Sequence, residues 1–346
     1  MKTVAWWVFL IAAMPLLAQP LPPGPAGRPD RNRPGPWDND VLVYRVDAGG
    51  RSEKLATFER AGVPTLARMK DGRLIAANQH FPENDSENFD KVAVRFSPDE
   101  GRTWTGPKVI RVEGLPAGMR FPFDPTLVPL PDGRVRLYFT GNFGRTFDRS
   151  IPNIRSAIST NGVDYTFEPG IRFEVVEKMV IDCAVVLHQG EFHLYVPDNG
   201  APPVPGQRPG EQSPANRGRD GLGYHATSKD GLSFTRQEDV QIGENHRWLG
   251  VAQSDGKAIT FFGTASQALP KPNQGLGQRR GSIWTGTSTN GNTWQLSKFL
   301  DVPGADPGAV AGREGGWIVI VTGLPTARQR QLPGSVPPRP PKPRTI

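Results

Sequence analysis

DPTLVPLPDGRVRLYFTGN, residues 124–142, contains an apolar strand, a Pro-Asp-Gly turn and a second apolar strand. Four more stretches repeat this unit: VPTLARMKDGRLIAAN (63–78), DCAVVLHQGEFHLYVPDN (182–199), WLGVAQSDGKAITFFG (248–263) and DPGAVAGREGGWIVIVTG (306–323). Their turn glycines follow one another at intervals of 57 to 66 residues: Gly72, Gly133, Gly190, Gly256 and Gly315. Self-similarity at a roughly fixed period indicates a fold built from repeated units.

A second set of tight turns lies between these units: SPDEGRTW (97–104), STNGVDY (159–165), SKDGLSF (228–234) and STNGNTW (288–294). Each follows a strand, so each repeat predicts four antiparallel strands, the form of a propeller blade. The fifth repeat ends after its second strand, and residues 42–58 have the strand-turn-strand form that is missing there. We therefore predict an all-β, five-bladed β-propeller whose last blade is closed by the N-terminal strands.

Composition and charge exclude several classes of protein. The chain of 346 residues has 40 Gly and 36 Pro, which fits a turn-rich fold, and enough apolar residues to bury a core. A lone cysteine, Cys183, excludes a disulfide framework and a cysteine-based zinc site. The net charge of +7 comes mostly from the Pro-rich C-terminal end, so the near-neutral body offers no basic stripe for nucleic acid.

The chain divides into four segments. Residues 1–18 have a lysine, a short apolar run and a small residue at the end, which predicts a secretory signal peptide and a secreted or periplasmic protein. No other stretch is apolar enough to predict a membrane span. Residues 19–40 and 324–346 are Pro-rich and predict extended linkers on either side of the propeller domain, 41–323.

The turn motif S-x-D-x-G-x-T-W resembles the Asp-box, or BNR, repeat of sialidases. The turn at 97–104 matches it fully, while Asn161 and Asn290 replace the acid in two of the other turns. The resemblance implies a sialidase-like propeller, with a six-bladed ring as the alternative. In such a turn the acid or amide holds backbone N–H groups, so we expect Asp99 and Asp230 to be structural.

The starts of the innermost strands of a propeller line its central channel. Counted back from the turn glycines, those positions hold Val63, Asp124, Asp182, Arg247 and Asp306. Three blades therefore direct a carboxylate at the axis. Carboxylates held close together raise one another's pKa, which is typical of functional sites, although an Asp at a strand start also caps turns.

The stretch 124–141 also resembles the opening of five-bladed glycoside hydrolases of the arabinanase and xylosidase type. The resemblance implies that Asp124 is the catalytic base, Asp182 the residue that tunes a pKa, and Glu244 the acid. The chain departs from that family at Val63, where an Asp is expected, and Glu244 precedes the aligned Arg247 by three residues.

The chain also departs from sialidases, because the sequence before Pro64 lacks the arginine that would bind a sugar carboxylate. This disfavours sialidase activity itself. Asp85, on the first long loop, is a further candidate acid/base residue, with a solvated loop acid as the alternative. Long loops on the rim that carries the strand starts indicate that the ligand binds there.

Several side chains near that rim are candidates for binding or stacking on a sugar: His80, Arg120, Arg145, Asp198, His246, Arg247, Trp248 and Asp306. His80 and His246 with Asp182 would be the only metal set, and their spacing does not favour one. We expect no metal and no cofactor.

Three functions remain open at this point. The first is an exported hydrolase of a poly- or oligosaccharide that uses axial carboxylates as acid and base. The second is a non-catalytic propeller that binds glycan or protein on the same rim, and an assembly factor tethered by its Pro-rich ends is a third. We expect a monomer with a carbohydrate partner and no nucleic-acid partner.

Overall fold

The computed structural model describes residues 35–144, 150–202, 216–265, 283–297 and 299–323. These residues form a short 3₁₀ helix (Pro36–Asp38) and 22 strands, which in chain order are β1 (Asp40–Val46), β2 (Ser52–Phe58), β3 (Ala61–Arg68), β4 (Leu74–His80), β5 (Lys91–Ser97), β6 (Lys108–Val109), β7 (Arg111–Glu113), β8 (Phe123–Pro129), β9 (Val135–Gly141), β10 (Asn153–Ser159), β11 (Asp164–Phe173), β12 (Ala184–His188), β13 (Glu191–Pro197), β14 (Leu222–Ser228), β15 (Thr235–Arg236), β16 (Val240–Gln241), β17 (His246–Ser254), β18 (Ile259–Ala265), β19 (Ile283–Ser288), β20 (Gln295–Leu296), β21 (Ala305–Ala311) and β22 (Trp317–Gly323). Most of the predicted segments 1–18, 19–40 and 324–346 lies outside the described residues.

The strands form five sheets, one for each predicted blade. Blade 1 is β3-β4-β5-β6, blade 2 is β8-β9-β10-β11 with β7 added at its edge, and blade 3 is β12-β13-β14-β15 with β16 beside β14. Blade 4 is β17-β18-β19-β20, and blade 5 is β21-β22-β1-β2. The prediction of an all-β, five-bladed propeller is confirmed, and the six-bladed alternative is not found.

The N-terminal strands close the ring. Strand β1 runs antiparallel to β22, with Asp40 opposite Gly323 and Val46 opposite Trp317. The innermost strands contact one another in the order β3, β8, β12, β17, β21 and back to β3. Blade 5 therefore joins the two ends of the described chain.

The apolar core is divided into five clusters, one at each junction of neighbouring blades. Alternation along the strands produces this arrangement, because successive side chains leave opposite faces of a sheet. In β1, Val41 and Val43 pack towards blade 1, while Leu42 and Tyr44 pack towards blade 4. Each blade thus buries both of its faces.

The four Ser-containing turns share one hydrogen-bond pattern. In the first, the Asp99 carboxylate accepts from the Thr103 backbone N–H at 2.8 Å, and Gly101 has a φ of 84° that favours glycine. Asn161, Asp230 and Asn290 accept from backbone N–H groups in the same way. The predicted structural role of Asp99 and Asp230 agrees with these contacts.

The described residues contain no helix that is long and apolar enough to cross a membrane.

Candidate functional site

The inner strands begin with an unusual backbone conformation in four of the five blades. Val63, Asp124, Asp182 and Asp306 have φ values between 49° and 60°, in the left-handed region. In blades 1, 2 and 5 these residues lie where the strand register is irregular. A left-handed residue other than glycine costs about 1 kcal/mol or more, and such strain is common at functional sites.

These four residues surround a narrow cavity at the axis. Its other lining residues include Leu249 and Gly250 of blade 4, together with prolines and threonines that follow the strand starts. The prediction that strand starts line a central channel therefore agrees with the structure for Asp124, Asp182 and Asp306.

The three carboxyl groups are unevenly distributed around the axis. Asp124 and Asp182 belong to the neighbouring blades 2 and 3, and Asp306 belongs to blade 5. In a closed ring of five, blade 5 is the blade that faces the junction of blades 2 and 3. A pair of carboxyls thus faces a single carboxyl, and the apolar Val63 and Leu249 lie on the two sides between them.

Asp124 and Asp182 line the same narrow cavity, and the Asp124 carboxyl acts on the Asp182 carboxyl and raises its pKa. Thr140, on β9, connects both residues to the sheet through hydrogen bonds of its hydroxyl. Its hydroxyl donates to Oδ2 of Asp124 at 2.9 Å and accepts the backbone N–H of Asp182 at 3.3 Å. Each carboxylate raises the free energy of ionising the other, because like charges repel in a buried site.

Burial and mutual repulsion shift the titration of all three acids. Burial, together with the charges of Asp306 and Asp90, raises the pKa of Asp124 from 3.8 to about 6, although Thr140 and Arg120 oppose the shift. Burial and the Asp124 carboxyl raise the pKa of Asp182 well above its ordinary range. Burial also raises the pKa of Asp306. All three carboxyls are therefore protonated at higher pH than an exposed aspartate would be.

Two predicted cations border the acids. Arg120 pairs with Asp90 at 2.6 Å, lies over the Phe123 ring, and its charge acts on Asp124. Arg247 donates to Oδ1 of Asn199 at 2.7 Å, and its charge lowers the pKa of Asp182 and Asp306 against the upward shifts. The two guanidinium groups thus limit the repulsion among the acids.

Blade 4 departs from the alignment that we drew from the turn glycines. Arg247 pairs with Thr264 and Gly250 with Gly263, so Trp248 and Leu249 form a bulge with no partners on β18. Leu249 consequently lines the axis where Arg247 was expected. Trp248 points into the core between blades 3 and 4, fully buried and bonded to the Gly221 carbonyl at 3.0 Å, where it cannot stack on a ligand.

Asp198 lies in a structural network. Its carboxylate is fully buried and accepts from Arg219 Nε at 2.7 Å, the Tyr224 hydroxyl at 2.9 Å and the Gly200 backbone N–H at 3.0 Å. These bonds lower its pKa despite its burial. The contacts hold the ends of the loop after β13, and they leave little of the carboxylate to bind a sugar.

The remaining candidates lie away from the axial cavity. Glu244 is exposed in a turn, and its backbone carbonyl is 2.8 Å from His246 Nδ1. Asp85 is exposed and accepts from both the backbone and the side chain of Asn88. His80 lies at the end of β4 with its Nδ1 buried and without a hydrogen-bond partner. Arg145 lies outside the described residues.

Three residues of the site escaped the sequence analysis. Asp90 accepts from Arg120 and from Gln79 Nε2, and its charge acts on Asp124. Thr140 and Thr322 hold axial residues through their hydroxyls. Each threonine lies on the buried, apolar part of a second strand, where the sequence does not distinguish it. Only its position opposite the start of an inner strand could have identified it as a site residue.

In the part of the chain that the structure describes, no group of three or more His, Cys, Asp or Glu residues is arranged to hold a metal ion. Cys183, next to Asp182, is buried, and burial raises the pKa of its thiol, which leaves it a weak nucleophile.

Comparison with known proteins gives structural matches only. No protein-family model and no curated protein sequence matches the chain. An N-acetylgalactosamine deacetylase from F. plautii, solved with blood group B trisaccharide, is 13% identical and has a TM-score of 0.51, over 81% of this chain and 84% of that one. An endo-arabinase from Bacteroides thetaiotaomicron VPI-5482 is 13% identical with a TM-score of 0.50, over 75% of this chain and 87% of that one. At this identity the likeness concerns the fold, which in this chain is a five-bladed β-propeller.

Proposed function

We propose that this protein is an exported, glycoside hydrolase-like propeller that acts on an oligo- or polysaccharide through its axial carboxyls. The observation that carries the proposal is that Asp124 and Asp182, from neighbouring blades, line the axial cavity together, with Asp306 facing them across the axis. Glycoside hydrolysis needs one protonated carboxyl and one ionised carboxylate at the scissile bond. The raised pKa values of the three acids support the presence of both forms near neutral pH.

The surroundings of the acids support different roles for them. Asp124 receives a hydrogen bond from Thr140 and the field of Arg120, which favour its ionised form. As the base it would take a proton from a water molecule that attacks the sugar carbon. A protonated acid, Asp182 or Asp306, would give its proton to the glycosidic oxygen as the bond between carbon and that oxygen breaks.

The left-handed backbone at the axis also supports a functional site. Asp tolerates positive φ better than most residues, but three such positions and a β-branched Val63 together store several kcal/mol. Folding alone does not require acids at these positions, because Val63 and Leu249 occupy equivalent places. The acids are thus retained at a cost to stability, as in many active sites.

The proposal that the ligand is a carbohydrate rests on the fold. The deacetylase and the endo-arabinase that share it are named for action on N-acetylgalactosamine and on an arabinan-type substrate. We propose that this chain also acts on a carbohydrate. We also propose that its Asp-box turns reflect a relationship to sialidase-like propellers. Sialidase activity itself is not proposed, since the stretch Ala61-Gly62-Val63-Pro64 contains no arginine. The apolar run in residues 1–18 supports a secreted or periplasmic location.

The experiment compares Asp124→Asn with Asp230→Asn on a panel of aryl glycosides and plant or bacterial polysaccharides. Both changes replace a carboxylate by an amide of nearly the same shape, but Asp230 lies in a Ser-containing turn, where Asn161 and Asn290 already make the same bonds. We expect Asp124→Asn to lower turnover at least about 100-fold, with Asp230→Asn near the wild-type rate.

Two outcomes would contradict the proposal. Equal activity in wild type and Asp124→Asn would remove the axial acid from the reaction. Saturable glycan binding by the wild type without turnover of any substrate would show a lectin-like propeller instead, and Asp124→Asn would then report on affinity alone.

A further inference from the structure

Threonine hydroxyls connect the axial residues at three of the five junctions between neighbouring blades. The three threonines lie near the ends of the second strands of blades 2, 4 and 5. Each hydroxyl accepts a hydrogen bond from the backbone N–H of the axial residue in the following blade. The pairs and their N–O distances are Asp182 to Thr140 (3.3 Å), Asp306 to Thr264 (2.9 Å) and Val63 to Thr322 (2.8 Å). Each threonine therefore has the same place in its blade.

Each hydroxyl directs its single hydrogen back to the axial residue of its own blade. Thr140 donates to Oδ2 of Asp124 at 2.9 Å, and the Thr322 hydroxyl lowers the pKa of the Asp306 carboxyl against the effect of burial. In blade 4 the axial residue is apolar, and Thr264 donates to the Leu249 backbone carbonyl at 3.0 Å. A carboxyl in this ring thus receives a hydroxyl donor only from a threonine in its own blade.

Blade 3 lacks that donor. In blade 2, Thr126 pairs with Tyr138, and Thr140 lies two residues after that tyrosine. In blade 3, Ala184 pairs with Tyr195, and the residue two positions after this tyrosine is Pro197. Pro197 is therefore the equivalent of Thr140. The proline side chain has no hydrogen to donate. Asp182 is held by its backbone N–H, and the Asp124 carboxyl raises the pKa of its carboxyl.

The charged groups around the pair do not account for this asymmetry. Asp124 faces Arg120 on one side and the acids Asp90 and Asp306 on the others. Asp182 faces Arg247, Asp306 and the neighbouring Cys183 thiol. Each acid has one arginine, so the Thr140 hydroxyl is the feature that distinguishes the two.

We propose that Thr140 is a positioning residue that sets the protonation order of the pair: it holds Asp124 as the ionised member, and Pro197 leaves Asp182 as the member that carries the proton. The assignment of Asp124 as base rests on the proposed function, whereas the order of ionisation does not.

The test measures protonation directly, without a substrate. Carboxyl ¹³C NMR of the protein labelled at aspartate, with signals assigned through Asp124→Asn and Asp182→Asn, follows both groups as a function of pH. We expect Thr140→Val to raise the ionisation midpoint of Asp124 by about one pH unit, the scale of one hydrogen bond to a charged group, and Thr140→Ser to restore it.

Thr264→Val is the matched control. It removes the hydroxyl at the same place in blade 4, where the hydrogen goes to a carbonyl rather than a carboxyl. We expect the Asp124 midpoint to stay at its wild-type value. An equal shift in Thr264→Val and Thr140→Val, or no shift in a folded Thr140→Val protein, would overturn the inference.

Pro197→Thr tests the same inference by adding a hydroxyl to blade 3 instead of removing one from blade 2. This variant provides the test if Thr140→Val does not fold. A hydroxyl at position 197 should lower the ionisation midpoint of Asp182, and an unchanged midpoint in the folded variant would contradict the role of Pro197. A shift of the midpoints in a protein that hydrolyses no glycan would sustain this inference and refute the proposed function.

Discussion

The Thr322 hydroxyl, near the end of the last strand of the described chain, accepts the backbone N–H of Val63 in the first blade at 2.8 Å. This bond crosses the junction of blades 5 and 1 at the axis, where Val63 is one of the strained left-handed residues. Blade 5 itself exists only because β1 and β2 join β21 and β22. The ring and the site at its axis therefore depend on the same closure.

We first predict that a charge in the closing strand destabilises the whole ring. Val43 is fully buried opposite Ile320, in the cluster between blades 5 and 1. Val43→Asp buries an unpaired charge and should cost about 4 kcal/mol or more of unfolding free energy. Lys54→Asp, on the exposed part of β2, should change it by less than about 0.5 kcal/mol. Urea unfolding measures both, and a stable Val43→Asp variant would argue against closure by the N-terminus.

A second prediction concerns the cost of the axial charge. The pKa of Asp124 is raised to about 6, so the folded state binds a proton that the unfolded state has lost above pH 3.8. Stability therefore falls as pH rises from about 4 to 6, by up to about 3 kcal/mol. Asp124→Asn cannot ionise, and it should unfold at a higher urea concentration than wild type at pH 7 and at a similar one at pH 4. Equal midpoints at pH 7 would mean that the carboxylate is not destabilising.

The third prediction has the opposite sign and concerns blade 3. His225 is buried and stacked on Tyr195, and burial together with the neighbouring His193 lowers its pKa from 6.5 to about 4. The unfolded state binds the proton first, so this group reduces stability as pH falls from about 6.5 to 4, by about 3 kcal/mol.

His225→Phe keeps an aromatic ring in the stack but has no proton to bind. Urea midpoints at pH 7 and pH 4.5 should differ less in this variant than in the wild-type protein. A variant that loses as much stability on acidification as wild type would place the acid sensitivity elsewhere in the fold.

The fourth prediction separates the acids of the Ser-containing turns from those of the axis. Asp99 accepts from the backbone N–H and the hydroxyl of Thr103 and from Ser97. Asp99→Ala should cost about 1 kcal/mol of unfolding free energy, the scale of one lost cap, and leave glycan turnover or binding unchanged. Asp99→Asn should be nearly neutral, since Asn161 makes equivalent bonds. Lost turnover at unchanged stability would contradict the structural role.

Local signals in the sequence predicted the fold correctly. The turn glycines and the alternating apolar strands predicted the number of blades and their closure by residues 42–58. Counting back from the turn glycines also located Asp124 and Asp306 nine residues before Gly133 and Gly315, and Asp182 eight residues before Gly190.

Blade 4 was aligned incorrectly for a physical reason. Thr126, which pairs with Tyr138, lies seven residues before Gly133, but the equivalent Val251, which pairs with Phe262, lies only five before Gly256. The turn glycine of blade 4 therefore comes two residues early, and counting nine residues back from it reaches Arg247 instead of the axial Leu249. Similarly, the network that occupies Asp198 comes from Arg219 and Tyr224, more than twenty residues away.

By itself the sequence determined a closed ring of five blades, the blades that bring acids to its axis, and the turns that are structural, because turn chemistry and strand period act between residues close in the chain. Only the tertiary structure decided that Asp124 and Asp182 line one narrow cavity, that Asp306 faces them, and that Thr140 holds one of the pair while Pro197 leaves the other without a donor. These relationships join different blades, and they arise when the ring closes and brings distant strand ends to a common axis.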